Sequence, residues 1–456
     1  SYNSREGSIH LNGGKDGYHF SLTTEHASTD GISAGEEPNG TNPLEDDGSS
    51  SRSFNAKVGY DHKKFQTWLT YNSNNSRYDF DDDDYFVHGR ATDNPYNQQW
   101  TELETISWVI DLPLLNDKWN NQFQLSSTNN EYETYANDLA NGFGVSEYVS
   151  ETDRETFEYQ GSYKLDKDNV LQFGTEHIDE KLDTSSGFDG GIRQYGWYGQ
   201  WLVTLGSADF SVGGRSNFHE EFDQHNTYRI TANLRLTDKF RLKGSHGTGF
   251  KAPSLFDMYD VAFGGNPDLE PEKSSGSEIG ISFEDGTYNT SVTYFDQHTE
   301  DLIRWIPSPL PSGTMENVGE ADSRGVELAL GIILGDFELE GSLTWMDATE
   351  TNNGVTDDRL RVPSRTANLL ANYNLSKGKV WAQAQYRGDR RDMNFATYTD
   401  VTLDAYWLYN IGLSYEPTNN LTVSARIDNL TDTDYEEVYS YGTPGRTGTV
   451  AVDWRF

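Results

Sequence analysis

The feature that most constrains this chain is an alternation of apolar and polar residues with period two, sustained from end to end. Between Arg229 and Gly244, Ile230, Ala232, Leu234 and Leu236 alternate with Thr231, Asn233 and Arg235. Thr237-Asp238 then turns the chain, and Phe240 and Leu242 alternate with Lys239, Arg241 and Lys243. Successive side chains of a strand point to opposite faces, so this hairpin has one apolar face and one charged face. A soluble sandwich seldom places Arg235, Arg241 and Lys243 on a buried side. A solvent-facing antiparallel sheet accounts for one such hairpin, but not for their number. A transmembrane β-barrel, with lipid outside and water inside, requires the pattern throughout.

Short turn signals recur near Gly14, Lys63, Asp117, Lys167, Gly206, Asp238, Asp285, Gly335, Gly378 and Asn419, separated by longer stretches rich in Asp, Asn, Gly and Ser. Tight turns on one rim and long loops on the other match the outer-membrane plan. Ten turns join about 20 strands, and the alternating segment Thr449–Phe456 makes about 21, whereas bacterial single-chain barrels have even numbers. The expectation is an all-β fold: a transmembrane antiparallel β-barrel of the 22-strand type, with residues 1–456 forming the barrel domain. The missing first strand would precede Ser1. Barrels of this size normally have a plugged lumen.

Composition agrees. Aromatic residues make up 13% of a chain that is only 34% hydrophobic, as expected where aromatic girdles flank a lipid band and the lumen and loops are polar. The net charge of −38 disfavours nucleic acid, which demands a basic footprint. With no cysteine, disulfides, thiolate metal sites and cysteine nucleophiles are absent. Ser1-Tyr2-Asn3-Ser4-Arg5 has no apolar signal core, and no run of 18 apolar residues marks a helical span. None of the ten histidines lies in an HExxH spacing, so an enzyme is not expected.

Three sequence blocks carry a family resemblance. Gly247-Thr248-Gly249-Phe250-Lys251-Ala252-Pro253-Ser254-Leu255 and Gly265-Asn266-Pro267-Asp268-Leu269-Glu270-Pro271-Glu272-Lys273-Ser274 form a pair. Asn317-Val318-Gly319 with Ser323-Arg324-Gly325-Val326-Glu327 follows, and Ile427-Asp428-Asn429-Leu430-Thr431-Asp432-Thr433-Asp434-Tyr435 lies near the end. Their order and spacing resemble those of TonB-dependent outer-membrane receptors, and Phe456 resembles the terminal aromatic of their assembly signal. Most of these positions are expected to serve folding: Pro253 and Pro267 restrict the backbone where strands leave the wall, and Gly319 and Gly325 suit bends or close approach.

The resemblance implies a monomeric receptor in the bacterial outer membrane, in contact with its lipid and lipopolysaccharide. It would take up a large, scarce ligand, engage TonB through an N-terminal part and carry an N-terminal plug, neither of which is among these residues. Without a plug the chain would be a passive, porin-like pore. Docking of phages or bacteriocins is a further expectation from the family.

One acidic run raises a ligand question. Tyr78–Phe86 places five aspartates in nine positions. With the preceding loop, from Thr29-Asp30-Gly31 to Leu44-Glu45-Asp46-Asp47-Gly48, it resembles the paired calcium-binding loops of vitamin B12 receptors in that family. Calcium takes six to eight oxygens from carboxylates, carbonyls and water. The resemblance nominates Asp30, Glu45, Asp47, Asp79 and Asp93 as calcium ligands, with Tyr78, Asp46, Asp81 and Asp83 as further metal or cation contacts. Asp84 stands where an EF-hand needs glycine, so the run is not that motif. An isolated acidic loop is more often simply solvated. Cobalamin is the expected cargo, with a ferric siderophore as the alternative. Haem is less expected, because Phe256–Gly264 contains no histidine. An anionic siderophore would need Arg387, Arg390 and Arg391 to offset the acidic mouth.

Overall fold

The computed structural model describes residues 2–35, 46–81, 97–138, 144–307, 313–394 and 397–456. Its first half is a run of long strands: β1 (Arg5–Lys15), β2 (Tyr18–Thr29), β3 (Ser49–His62), β4 (Phe65–Asp79), β5 (Gln98–Leu114), β6 (Trp119–Asp138), β7 (Gly144–Lys164), β8 (Asn169–Thr184), β9 (Asp189–Leu205), β10 (Ala208–His219), β11 (Asp223–Arg235) and β12 (Phe240–Lys251). A one-turn helix, α1 (Leu255–Tyr259), and a 3-10 turn, Val261–Phe263, interrupt them. There follow β13 (Glu272–Glu284), β14 (Tyr288–Glu300), β15 (Ile303–Pro307), β16 (Gly313–Asn317), β17 (Gly319–Leu334), β18 (Phe337–Asn352), β19 (Val355–Asp358), β20 (Arg365–Leu375), β21 (Gly378–Arg387), β22 (Arg390–Asn394), β23 (Thr399–Leu403), β24 (Tyr406–Thr418), β25 (Leu421–Asp428) and β26 (Thr447–Trp454).

These strands form one antiparallel sheet of 22, while β15–β16 and β22–β23 are separate hairpins in the loops. One member of the sheet, β19, pairs only with Thr349–Asn352 at the end of β18. Setting it aside leaves 21 wall strands, the number expected from the turns. Each wall strand pairs with its neighbours along the chain, and among the described residues β1 pairs only with β2 and β26 only with β25. Since 21 is odd, β1 and β26 run in the same direction. The expected turn positions fall in or beside the short connections, with Asp16-Gly17 rather than Gly14 at the first tip.

Register keeps the two faces distinct across the sheet. Phe20, Val58, Leu69, Trp108, Leu125, Phe157, His177, Tyr195 and Phe218 lie opposite one another on nine consecutive strands. This is the face for lipid, apolar except at His177. The adjoining row, His19, Gly59, Trp68, Val109, Gln124, Glu158 and Glu176, is largely polar and faces the lumen. A slip of one residue would exchange the two sets, so the alternation itself fixes the register.

A small buried core sits at the loop end. Leu182 and Ile192, on the lumen side of β8 and β9, pack against Leu255, Met258 and Leu269 of the segment between β12 and β13. That segment folds over the lumen-side wall. Ser254 and Asp257 form a capping box that starts α1, satisfying amides that so short a helix leaves unpaired.

Candidate functional site: the acidic mouth

At the loop end of β2, β3 and β4 the structure brings Asp30, Asp47, Asp79 and Asp81 into one neighbourhood. The Asp47 N–H donates to the Ile32 carbonyl at 3.0 Å, and Ala34 N–H donates to Asp47 Oδ2 at 2.7 Å. The next amide, Gly35 N–H, donates to Asp81 Oδ2. Consecutive backbone amides therefore hold carboxylates from two different loops. Asp79 N–H donates to the Gly48 carbonyl at 2.9 Å, and Arg77 lies 3.2 Å from Asp79 Oδ1. Asp30 N–H is bound by the Tyr2 carbonyl at 2.9 Å.

Two glycines permit this convergence. Gly31 has φ +76, and a Cβ there would overlap the Asp47 carbonyl, a position few side chains could occupy. A Cβ at Gly48 would lie 3.1 Å from Asp79 Oδ2 and 3.6 Å from the Asp30 carbonyl. Asp81 is buried at 8% exposure, whereas Tyr78 is 44% exposed and Asp46 is at the surface. Glu45, Asp83 and Asp93 lie outside the described residues. The oxygen-rich donor set suits a hard cation such as calcium. Among the described residues, however, no three carboxylates or histidines converge closely enough to hold a metal. A complete site would need donors beyond these four.

Sequence reasoning missed a second group of mouth aspartates. Asp260 has no exposed surface; it accepts from Tyr148 Oη, from Ser186 Oγ at 3.1 Å and from Ala262 N–H at 2.8 Å. Burial and the bond to Asp260 push the Tyr148 hydroxyl pKa up. Asp392, also fully buried, accepts from Arg361 Nε at 3.0 Å and Tyr439 N–H at 2.8 Å. Nothing in the local sequence distinguishes these aspartates from solvated ones, because their side-chain donors, Tyr148, Ser186 and Arg361, lie far away in the chain.

The three arginines expected to offset the acidic mouth are already engaged. Arg390 is 5% exposed, donates to the Glu436 carbonyl and lies over the Tyr406 ring, 5.5 Å from its centroid. Arg391 pairs with Asp400 at 2.7 Å, and Arg387 lies 3.9 Å from Glu437. Burial, followed by the hydrogen bond to Glu437, pushes Tyr406 up to about 12.

The family-motif residues hold the loops. The Phe250 ring stacks on His225 at 4.1 Å. Ala252 is half-buried, and Pro253 and Pro271 are buried. Asn266 donates to the Met315 carbonyl at 2.8 Å and caps Asp268 N–H at 2.9 Å, next to exposed Pro267. Leu269 joins the mouth core. Glu272 accepts from Ile303 N–H at 3.0 Å. A Cβ at Gly325 would meet Phe295 and the Trp345 carbonyl, while Glu327 faces the lumen opposite Thr293 and Thr344. Asn429, at φ +48, ties the turn to Thr433 through both side-chain atoms. Leu430 N–H donates to the Tyr409 carbonyl at 2.7 Å. Tyr435 packs on Tyr406 at 4.5 Å. Phe456 is 88% exposed, beside Trp454.

Comparison with known proteins places this geometry. The family described as TonB dependent receptor-like, beta-barrel, matches residues 2–430. The vitamin B12 transporter BtuB of Photobacterium profundum is 28% identical over 96% of this chain and 69% of its own length. That of Vibrio cholerae is 24% identical over 89% of this chain, which spans 64% of that relative. Among solved structures, the siderophore receptor PirA from Acinetobacter baumannii superposes with a TM-score of 0.84 at 16% identity, over 99% of this chain and 78% of that one. The copper transporter OprC gives 0.82 at 15%, over 100% and 81%. At such identities these structures share the fold and carry no information about cargo. The chain belongs to the TonB-dependent receptor β-barrel family, a family of bacterial outer-membrane receptors rather than enzymes.

Proposed function

We propose that this barrel is the wall of a TonB-dependent transporter for cobalamin, with calcium ordering two extracellular loops at its mouth. The observation that carries this reading is that consecutive amides of Ala34 and Gly35 hold the Asp47 and Asp81 carboxylates from two loops, with the Asp79 carboxylate and the Asp30 carbonyl close to Gly48. It is supported by relatives named as vitamin B12 transporters across most of the chain. Asp30, Asp47 and Asp79 would hold the ion, with Glu45 and Asp93 completing the donor set and Asp81 beside them. Calcium would supply the positive charge that lets these carboxylates stay together.

A siderophore receptor is the second reading, favoured by the structural neighbours only through the fold. The engagement of Arg387, Arg390 and Arg391 by internal partners leaves them poorly placed to receive an anionic ligand. In either reading the plug and the TonB contact are supplied by parts of the protein outside these residues. One further strand would stand between β1 and β26: these edges run in the same direction, so an antiparallel wall closes only through an additional strand.

The test is equilibrium binding of cyanocobalamin to the full-length, plug-containing protein, with calcium and with chelator. Tight binding that weakens on chelation is expected. Tight binding unaffected by chelator would remove calcium from the proposal, and no binding in either condition would favour the siderophore reading.

A further inference from the structure

Two histidines at the loop end of β10 and β11 hold the short turn between those strands. His219, the last residue of β10, is 6% exposed. Its ring lies 4.8 Å from that of Phe222, and its Nδ1 accepts the Glu221 N–H at 3.3 Å. His225, near the start of β11, stacks on Phe250 and donates from Nε2 to the Phe222 carbonyl at 2.9 Å. A proton acts differently on the two bonds. A carbonyl only accepts, so the His225 bond is kept whether its ring is neutral or charged. The His219 bond needs a bare Nδ1, and protonation there sets one N–H against another.

The same turn ties down the segment that folds over the lumen-side wall. Phe222 packs against the buried core of Leu182, Ile192, Leu255, Met258 and Leu269, so the position of the turn and the hold on α1 are linked. Around His219 stand Gln194 and Arg193 on β9, Glu220 and Glu221 on the turn, and Asp223 and His225 on β11. Glu221 also acts on Tyr259 of α1. The hydrogen bond from Arg193 holds the Glu220 carboxyl below its usual range, and burial raises the Tyr259 hydroxyl, so neither changes charge near neutrality. Burial, followed by the neighbouring His225, holds His219 below its ordinary 6.5 against a smaller pull from Glu220. A charged imidazole in this position would lack both water and a partner for Nδ1.

We propose that His219 is an acid-operated latch on the mouth: in mildly acidic medium it takes a proton, the β10–β11 turn opens, Phe222 leaves the core and the segment 253–269 loosens. The closed turn keeps His219 neutral, whereas the open turn exposes it to water. Closure therefore loses stability as pH falls from 6.5 toward the lower closed-state value. One unit below 6.5, the open state gains up to about tenfold over its share at neutral pH. The latch depends on neither the cargo nor calcium.

Hydrogen exchange of the full-length protein in detergent, corrected for the intrinsic pH dependence of amide exchange, tests this at pH about 7.5 and about 5.5. Protection of 219–225 and of 255–264 in the wild type should fall together on acidification, by up to about tenfold. His219→Asn offers an oxygen to the Glu221 N–H but takes no proton, and should be flat between the two pH values. Phe222→Ala cuts the tie: 219–225 should still respond to acid, while 255–264 should not. Heat-modifiable gel mobility checks that each barrel has assembled. A wild type without a pH response in 219–225, or an equal response in His219→Asn, would overturn the latch. A response confined to 219–225 in the wild type would overturn its coupling to the mouth segment.

Discussion

Two sets of aspartates stand at the mouth, and their surroundings differ in kind. Asp260 and Asp392 are fully buried, and each joins donors from distant segments to a local amide: Tyr148 and Ser186 with Ala262 N–H in one case, Arg361 and Tyr439 N–H with Met393 N–H in the other. Their charge is answered within the chain, and they fasten loops to the wall. Asp30, Asp47, Asp79 and Asp81 are gathered instead by backbone amides and two glycines, with Arg77 as a neighbouring cation. Buried carboxylates without adequate compensation are costly. The first set is held chiefly by side-chain donors and the second chiefly by backbone amides, although composition makes the two indistinguishable.

The largest expected effect breaks the structural set. Asp392→Ala removes the partner of Arg361 and the acceptor for Tyr439 N–H, and should cost about 2–3 kcal/mol locally, moderated because Arg361 is 40% exposed. Hydrogen exchange over 388–394 and 429–446 should rise equally with calcium and with chelator; protection by calcium would erase the distinction between the sets. Next in size, Asp47→Asn combined with Asp79→Asn should weaken cyanocobalamin binding at least about tenfold, or ~1.4 kcal/mol, and abolish its response to chelator. Titration calorimetry showing undiminished calcium binding would move the ion elsewhere. Tyr148→Phe deletes one donor to Asp260 and should cost about 1 kcal/mol, seen as faster exchange in 255–264 with unchanged calcium affinity.

The smallest effect concerns the His298–Asp322 pair at the loop end of β14. The bond to Asp322 is the main cause that raises the His298 pKa above its ordinary 6.5. Protonated His298 thus favours the folded state. That contribution is fully present below pH 6.5 and is lost as pH rises through the higher folded value. Both groups are substantially exposed, so the effect should stay below about 1 kcal/mol. His298→Gln should flatten stability over this window, and an equal pH slope in the variant would assign the dependence elsewhere.

The wall was legible because a strand's period is local: Ile230 and Arg235 declare opposite faces without reference to any partner. Turns such as Lys63 and Asp238 were legible for the same reason. The mouth was only half legible. Clustered aspartates at 79–84 advertise themselves, whereas Asp260 takes its meaning from Tyr148 and Ser186, 112 and 74 residues away. The β15–β16 and β22–β23 hairpins were also missed, since short loop strands pack on neighbouring loops and lack a sustained alternation.

The meander order of the wall also has a kinetic meaning. Every wall ladder joins strands that are neighbours along the chain, so each new strand can zip onto the last with a short loop to close, the cheapest route in conformational entropy. Closing the wall across the β1 and β26 edges through the further strand, by contrast, closes a loop of nearly the whole chain, with a length-dependent entropy cost of about 5 kcal/mol. Those two edges should be the last part of the wall to form and the first to fray.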